Sequence, residues 1–515
     1  MRGAVHPPSS GIVTPADVFE YLFPTRPQVR FYFETECEYG HFEGWDDDIL
    51  FSILPCSESP LDQIAGYDEV RLTELARVIA LSHSLYLKAA SQADQVVHVR
   101  SPHAFGISLR ITKRSTHSGL IGRLSDARWW RRQINRIADQ RREHLAQTKR
   151  QLGRAAGEQC CSAATLAIMK ARKAKTDAYL SRSYKAVSST LEHKRPVVFH
   201  LLEVARAQQA NRVNELYLDI KAMEEIANGK GWGWLFLTLT APGKFHSNPA
   251  FGKNSYNPKL SPRDANLFLG KDWKAIRGAL KEQGFKPSDS YFGFRVTEVH
   301  EDGCPHWHIL IFHESGVATV VEKTMERLYA DRPGSYFKKN REKIIRIGLA
   351  KNDPLAASAA SYIFNYLSFA LSGGSDDSSF SSTAYKYQCA IKAMGARQYQ
   401  SFGIRGSHGK LRALAKVKRL PDCPPNILQL ANRLHVDKGV EARNEIQLKA
   451  RMDFLLTEAN KVVFIKEPGL NAFGESVERI IGLKHQDDDS GVILSGFCED
   501  IDEKVALKIL GQVLS

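Results

Sequence analysis

The stretch YFGFRVTEVHEDGCPHWHILIF, residues 291–312, decides the fold. Two apolar-rich runs, Tyr291 to His300 and His306 to Phe312, flank Glu301-Asp302-Gly303-Cys304-Pro305. A short connection that carries glycine predicts an antiparallel hairpin. With that loop, His300 is expected opposite His306 and Glu298 opposite His308. Side chains alternate along a strand, so Glu298, His300, His306 and His308 then share one face. Two neutral imidazoles and a carboxylate converging there predict a metal site of Glu298, His306 and His308, with positions left open for water or substrate oxygens. Mixed nitrogen and oxygen ligation beside a phosphate suits Mg²⁺ or Mn²⁺, with Zn²⁺ chemically possible. An isolated His-x-His is more simply the polar face of a half-exposed strand. The acid partner and the apolar run Ile309 to Phe312 behind the pair favour the metal reading.

Outward from the hairpin, Trp234 to Thr240 reads as a strand that stops at Pro242-Gly243. Asn257 to Gly284 reads as an amphipathic helix entered through Ser261-Pro262. A further helix is expected from Asp353-Pro354 to Gly373-Gly374, followed by a Ser/Asp/Gly loop to Ser382. That helix carries Tyr362 and Tyr366, four residues apart and so on one face. A tyrosine hydroxyl is a poor nucleophile at its free pKa near ~10 and needs a cation to support the phenolate. The plain alternative is a core stripe with Ile363, Phe364 and Phe369.

From about residue 122 to 230 the pattern is helical. Within it, Trp129-Trp130 precede Arg131, Arg132 and Arg136. Arginines at this spacing could track phosphates while the tryptophans stack on bases, or the helix could be a solvated basic face with both tryptophans turned inward. After the Pro-broken stretch Pro421 to Pro425 comes a mixed C-terminal region. The expected organisation is 1–110 of unassigned role, 111–230 a helical basic region, 231–420 the domain bearing the site, and 421–515 an accessory region.

At 515 residues, with 43% hydrophobic and 25% charged, the composition is that of a globular chain. The formal charge of +14 points to a polyanionic partner, with solubility alone as the bland alternative. Eight scattered cysteines form no CxxC pair, which excludes zinc knuckles and redox dithiols as readings. No secretory signal opens the chain, and no apolar run approaches the ~20 residues that cross a bilayer, so a reduced, cytoplasmic protein with no membrane partner is expected. No phosphate-binding Gly-x-x-x-x-Gly-Lys-Ser/Thr loop occurs, which predicts no ATP use and an external helicase.

Taken together, these residues resemble the HUH endonuclease superfamily, and more closely the bacteriophage replication gene A proteins. The resemblance rests on Glu298, Asp302-Gly303 and Pro305-His306-Trp307-His308, with Phe236 to Pro242 and Phe245-His246 before them. Tyr362 and Tyr366 follow at the place of the family's paired tyrosines, then Ala396-Arg397-Gln398-Tyr399-Gln400, Gly403 and Leu411-Arg412. It covers about residues 210–418. It implies an α+β fold, with a central antiparallel HUH-type sheet flanked by helices behind a largely helical basic region. It also implies a metal-dependent endonuclease that nicks single-stranded or supercoiled origin DNA to start rolling-circle replication in a bacterial host. In such an enzyme Tyr362 or Tyr366 would form a 5′-phosphotyrosine and free a 3′-hydroxyl primer, and the strand would later be rejoined. Arg131, Arg132, Arg136 and Arg397 are candidate DNA contacts. A relaxase or transposase of the same superfamily, and an origin-binding protein that has lost cleavage, are the alternatives. The family places a lysine beside the second tyrosine where this chain has Asn365, and Ser368 to Ser372 carry no charge. Lys351, Lys386 and Lys392 are the nearby cations that could stand in.

Overall fold

The computed structural model describes residues 60–92, 114–187, 197–330, 336–348, 359–372, 383–404, 408–417, 423–487, 491–493 and 498–501, with 107, 332, 505 and 506 and without 251, 331 and 438. The chain divides into two compact units: residues 1–146 with 468–478, and residues 147–467 with 479–515.

In the first unit, helix α1 (Glu69–Gln92) and the start of helix α2 (Ala127–Thr148) share a core. Leu72, Leu75, Ala76 and Ile79 pack there with Trp129, Trp130, Ile134 and Ala138, the three- and four-residue spacing of a helical stripe. Trp130 is fully buried and its indole N–H donates to the Leu124 carbonyl at 2.7 Å. Neither tryptophan is therefore free to stack on a base, and of the two sequence readings the inward-packed one holds for them. Arg131, Arg132 and Arg136 occupy the exposed side of α2. Arg142, by contrast, is buried against Asp139 at 2.9 Å.

His83 is buried against Trp130, ring centroids 5.3 Å apart, and donates from Nδ1 to the Ile79 carbonyl at 2.8 Å. Burial outweighs that hydrogen bond and pulls its pKa from 6.5 down to about 4. The folded state thus binds fewer protons than the unfolded chain between these values. Stability is complete above pH 6.5 and is lost as the pH falls toward 4, by roughly 3 kcal/mol in total. Tryptophan fluorescence during thermal unfolding across that window should show the decline. His83→Leu should flatten it, and an unchanged slope in that variant would contradict the assignment.

The second unit is built on a five-stranded antiparallel sheet of β1 (Gly233–Thr240), β2 (Tyr291–Val299), β3 (Pro305–His313), β4 (Ile345–Gly348) and β5 (Tyr399–Phe402), in the order β4-β1-β3-β2-β5. Both faces are covered, which explains why the strands read as nearly continuous apolar runs. On one face Leu235, Leu237, Ile309 and Ile311 meet α4 (Pro262–Glu282), α5 (Val317–Leu328) and α6 (Tyr336–Ile344). Helix α4 starts at a full capping box, Ser261 and Asp264 each satisfying the other's backbone N–H. On the other face Phe236, Phe294, Leu310 and Phe312 meet α3 (Leu201–Gly229) and α7 (Ala359–Ser372). The α+β class and central antiparallel sheet are thus as expected. Asp353-Pro354 and residues 373–382, where the sequence placed a helix start and a loop, lie outside the described residues, as does Lys351.

Two local expectations change. The helical pattern over 122–230 is broken by a strand pair, Tyr184–Val187 with Val197–His200, joined by Cys498–Ile501 in a separate sheet. Pro424-Pro425 is not a linker but the start of helix Pro425–Leu434, with Pro425 in the first turn. Ile427, Leu430 and Leu434 of that helix enter the same core as Phe236 and Ile363. Among the described residues, no helix is long and apolar enough to cross a membrane.

Candidate metal and tyrosine site

The hairpin closes two residues tighter than its sequence suggests. Glu298 pairs with His306, Val296 with His308 and Val299 with Pro305, while the His300 N–H donates to the Cys304 carbonyl at 2.8 Å. This corrects the expected pairing of His300 with His306 and Glu298 with His308. The turn is only Glu301-Asp302-Gly303, with Gly303 at φ +79°, the left-handed position that a three-residue hairpin loop requires. The Asp302 carboxylate fixes it from inside, accepting from the Cys304 N–H at 3.1 Å and holding His246 Nδ1 at 3.1 Å. Proline is tolerated as the first residue of a strand, so Pro305 belongs to β3 rather than to the loop. A two-residue shift preserves the faces, and the side-chain set survives the correction.

Glu298, His306 and His308 are the one group of metal-donor side chains that converge among the described residues. His306 Nε2 and His308 Nε2 lie 3.0 Å apart, and Glu298 Oε2 lies 3.2 Å from the first and 3.3 Å from the second. Ligands about 2.1 Å from a cation at right angles are about 3.0 Å apart, so the trio fits one triangular face of an octahedron and leaves the other three positions open. Thr238 on β1 turns the His308 ring through its Nδ1 at 3.2 Å, as an outer partner of a ligating histidine does. His306 Nδ1 and His300 Nε2 are buried with no hydrogen-bond partner, and their rings stand 4.3 Å apart.

Burial alone would raise the Glu298 pKa, but hydrogen bonds and charge from His306 and His308 pull it down to about 2. Burial lowers the His308 pKa, partly offset by Glu298. Burial, then the charges of His306, His246 and His308, takes His300 down to about 2. Glu298 is thus held as a carboxylate, and burial disfavours the charged form of His308, the protonation states in which these two groups ligate metals.

Tyr362 stands over the same face of the sheet. The Phe236 ring bridges the two groups, stacked 5.5 Å from His308 and edge-on 4.6 Å from Tyr362. Helix α7 is fixed at its start by buried Glu224, which accepts from the Ala360 N–H at 3.0 Å and pairs with Lys221 at 2.6 Å. Ala360 and Ile363 anchor the helix in the core. Tyr366 lies one turn further along α7, and its side chain is outside the described residues. Among the described residues, Arg346 on β4 donates from Nη1 to the Tyr362 hydroxyl at 3.1 Å. Sequence reasoning missed Arg346. Lys386 is half-buried, where its charge acts on Cys160, and Lys392 is exposed. Arg397 is exposed just before β5.

Comparisons with known proteins can be set beside this geometry. The chain is 28% identical over 393 residues to the replication protein of Haemophilus phage HP1, covering 73% of this chain and 48% of that protein. It is 30% identical over 364 residues to the replication gene A protein of Escherichia phage 186, covering 66% and 49%. A probable replication endonuclease from a prophage-like region of Salmonella paratyphi A is 32% identical over 115 residues, 22% of this chain and 14% of that protein. The chain thus spans about half the length of the first two relatives. No solved structure matches it. The family model of the bacteriophage replication gene A protein matches residues 70–372, more than half of the sequence and including the hairpin, Arg346 and both tyrosines. The chain belongs to the bacteriophage replication gene A protein family.

Proposed function

We propose that this chain is a replication initiation endonuclease that nicks origin DNA through a tyrosine and starts rolling-circle synthesis. The observation that carries the reading is a single sheet face that holds both the donor triangle of Glu298, His306 and His308 and, across Phe236, a tyrosine hydroxyl bonded to Arg346. The names of its relatives, a replication protein and a probable replication endonuclease, support the same reading.

A Mg²⁺ or Mn²⁺ ion held by Glu298, His306 and His308 would supply positive charge to the non-bridging oxygens of the scissile phosphate. Every other part of the step falls to the chain. The Tyr362 oxygen attacks phosphorus, the new O–P bond forms, and the bond from phosphorus to the 3′-oxygen breaks. The tyrosine gives up its proton, and the departing 3′-oxygen ends as a hydroxyl. The Arg346 guanidinium supports negative charge on the phenolic oxygen as the proton leaves. Phe236 and the anchored start of α7 keep Tyr362 in place. The energy of the broken ester is stored in the phosphotyrosine, so the strand can be rejoined without ATP. Tyr366, one turn further along α7, would serve a second cleavage. Duplex opening falls to a host helicase, and the reaction belongs in the bacterial cytoplasm.

The test is incubation of the protein with Mn²⁺ and supercoiled or single-stranded origin DNA. The expected product is a strand whose 3′ end a polymerase extends and whose 5′ end is blocked by protein. A free 5′-phosphate would overturn the tyrosine mechanism.

A further inference from the structure

The face of the sheet opposite the metal donors carries a second cluster of charge that the cleavage chemistry does not use. Arg295 on β2 is buried, and its guanidinium lies over the Trp307 ring, 3.7 Å from the centroid. Its Nη2 reaches Gln400 on β5 at 3.4 Å, while its Nε is buried with no hydrogen-bond partner. Arg397 approaches from just before β5, where its carbonyl accepts from the Thr297 hydroxyl at 2.8 Å. Arg277 comes from α4, its guanidinium 5.8 Å from the Trp273 ring. Arg277 and Arg397 are exposed. Among the described residues none of the three arginines forms an ion pair, and neither do Lys271 and Lys274 on the same exposed helix surface.

Burying the Arg295 guanidinium with no carboxylate to answer it is unfavourable. Burial, then the charges of Arg397 and Arg277, accordingly pulls Arg295 down to about 10. A purely structural arginine would be expected to bring its own acid, as buried Arg142 does with Asp139. The buried Arg295 Nε, left without a partner, is a donor that no group among the described residues answers. The contact with Trp307 holds the guanidinium in place, and its fork can meet two phosphate oxygens at once.

We propose that Arg277, Arg295 and Arg397 bind a backbone phosphate of the DNA strand on the sheet face away from the metal donors, so that DNA flanking the cleavage point is held at the β5 edge. The proposal rests on the reading of DNA as the substrate. It gives Arg397 a defined partner group and adds Arg295 and Arg277, which no sequence motif singled out.

The experiment measures binding of a fluorescent single-stranded oligonucleotide by the full chain in EDTA, where no cleavage occurs, across a series of NaCl concentrations. Arg277→Gln and Arg397→Gln alter exposed side chains, and Mn²⁺ binding reports that each variant is folded. Each is expected to lower the salt slope by about 0.7 and to weaken binding about fivefold at about 0.1 M salt. Arg295→Lys keeps the charge but loses the fork, and should weaken binding without changing the slope. Wild-type slopes in both glutamine variants would overturn the proposal. Calorimetric titration with inorganic phosphate forms the second arm. Phosphate bound by the wild type and lost in the variants, with the DNA slope unchanged, would assign the site to a free anion and overturn the DNA assignment. An unchanged slope in a protein that still forms the covalent adduct sinks this site alone. A reduced slope in a protein that forms no adduct sinks the cleavage reading alone.

Discussion

His308→Ala is expected to weaken Mn²⁺ binding by at least ~10²-fold and to slow strand cleavage on the order of 10³-fold. The donor triangle has edges of 3.0 to 3.3 Å, so each member supplies one corner. Glu298→Gln should fall between the wild type and the alanine variant, because the amide oxygen still coordinates but the charge that balances the cation is gone. Thr238→Val should cost less again, about tenfold in metal affinity, since it removes only the group that orients the His308 ring. Electron paramagnetic resonance of Mn²⁺ titrated into each protein reads the affinity directly, and a labelled single strand reads the rate. Mn²⁺ affinity in His308→Ala equal to that of the wild type would remove these residues from the metal site.

Arg346→Gln is expected to slow formation of the covalent intermediate about 10²-fold while leaving Mn²⁺ affinity unchanged. The guanidinium donates to the Tyr362 hydroxyl at 3.1 Å and stands 5.6 Å from its ring centre, so in the proposed mechanism it would meet the charge that develops on that oxygen. Arg346→Lys should recover part of the rate, because a positive charge remains but the fixed fork does not. A residue with a merely structural role would not be rescued in this order. Single-turnover rates at saturating metal separate the outcomes, and a wild-type rate in the glutamine variant would contradict the role given to Arg346.

Much of this site is legible along the chain because its signals are local. Strand alternation alone puts Glu298, His306 and His308 on one face, and the four-residue spacing of Tyr362 and Tyr366 puts both on one side of a helix. The register is less legible, because Pro305 carries the chemistry of a loop residue. The decisive residue was Gly303, whose left-handed backbone closes a shorter turn. The inward position of Trp129 and Trp130 was also readable, since Ile134 and Ala138 continue their stripe. Arg346 was not, because it sits on a four-residue edge strand with no periodicity and meets Tyr362 only through the packing of α7. Arg295 was hidden differently. It takes its turn in the alternation of β2, and only its tertiary neighbours Trp307, Arg277 and Arg397 reveal an unanswered charge.

The central claim is that a tyrosine on α7 becomes covalently joined to DNA. Its most direct test is mass spectrometry of the peptide–nucleotide adduct formed with Mn²⁺ and single-stranded origin DNA. The account predicts a phosphotyrosine at Tyr362 or Tyr366 and no adduct at all in the Tyr362→Phe, Tyr366→Phe double variant. An adduct that persists in the double variant, or cleavage that yields a free 5′-phosphate, would contradict it.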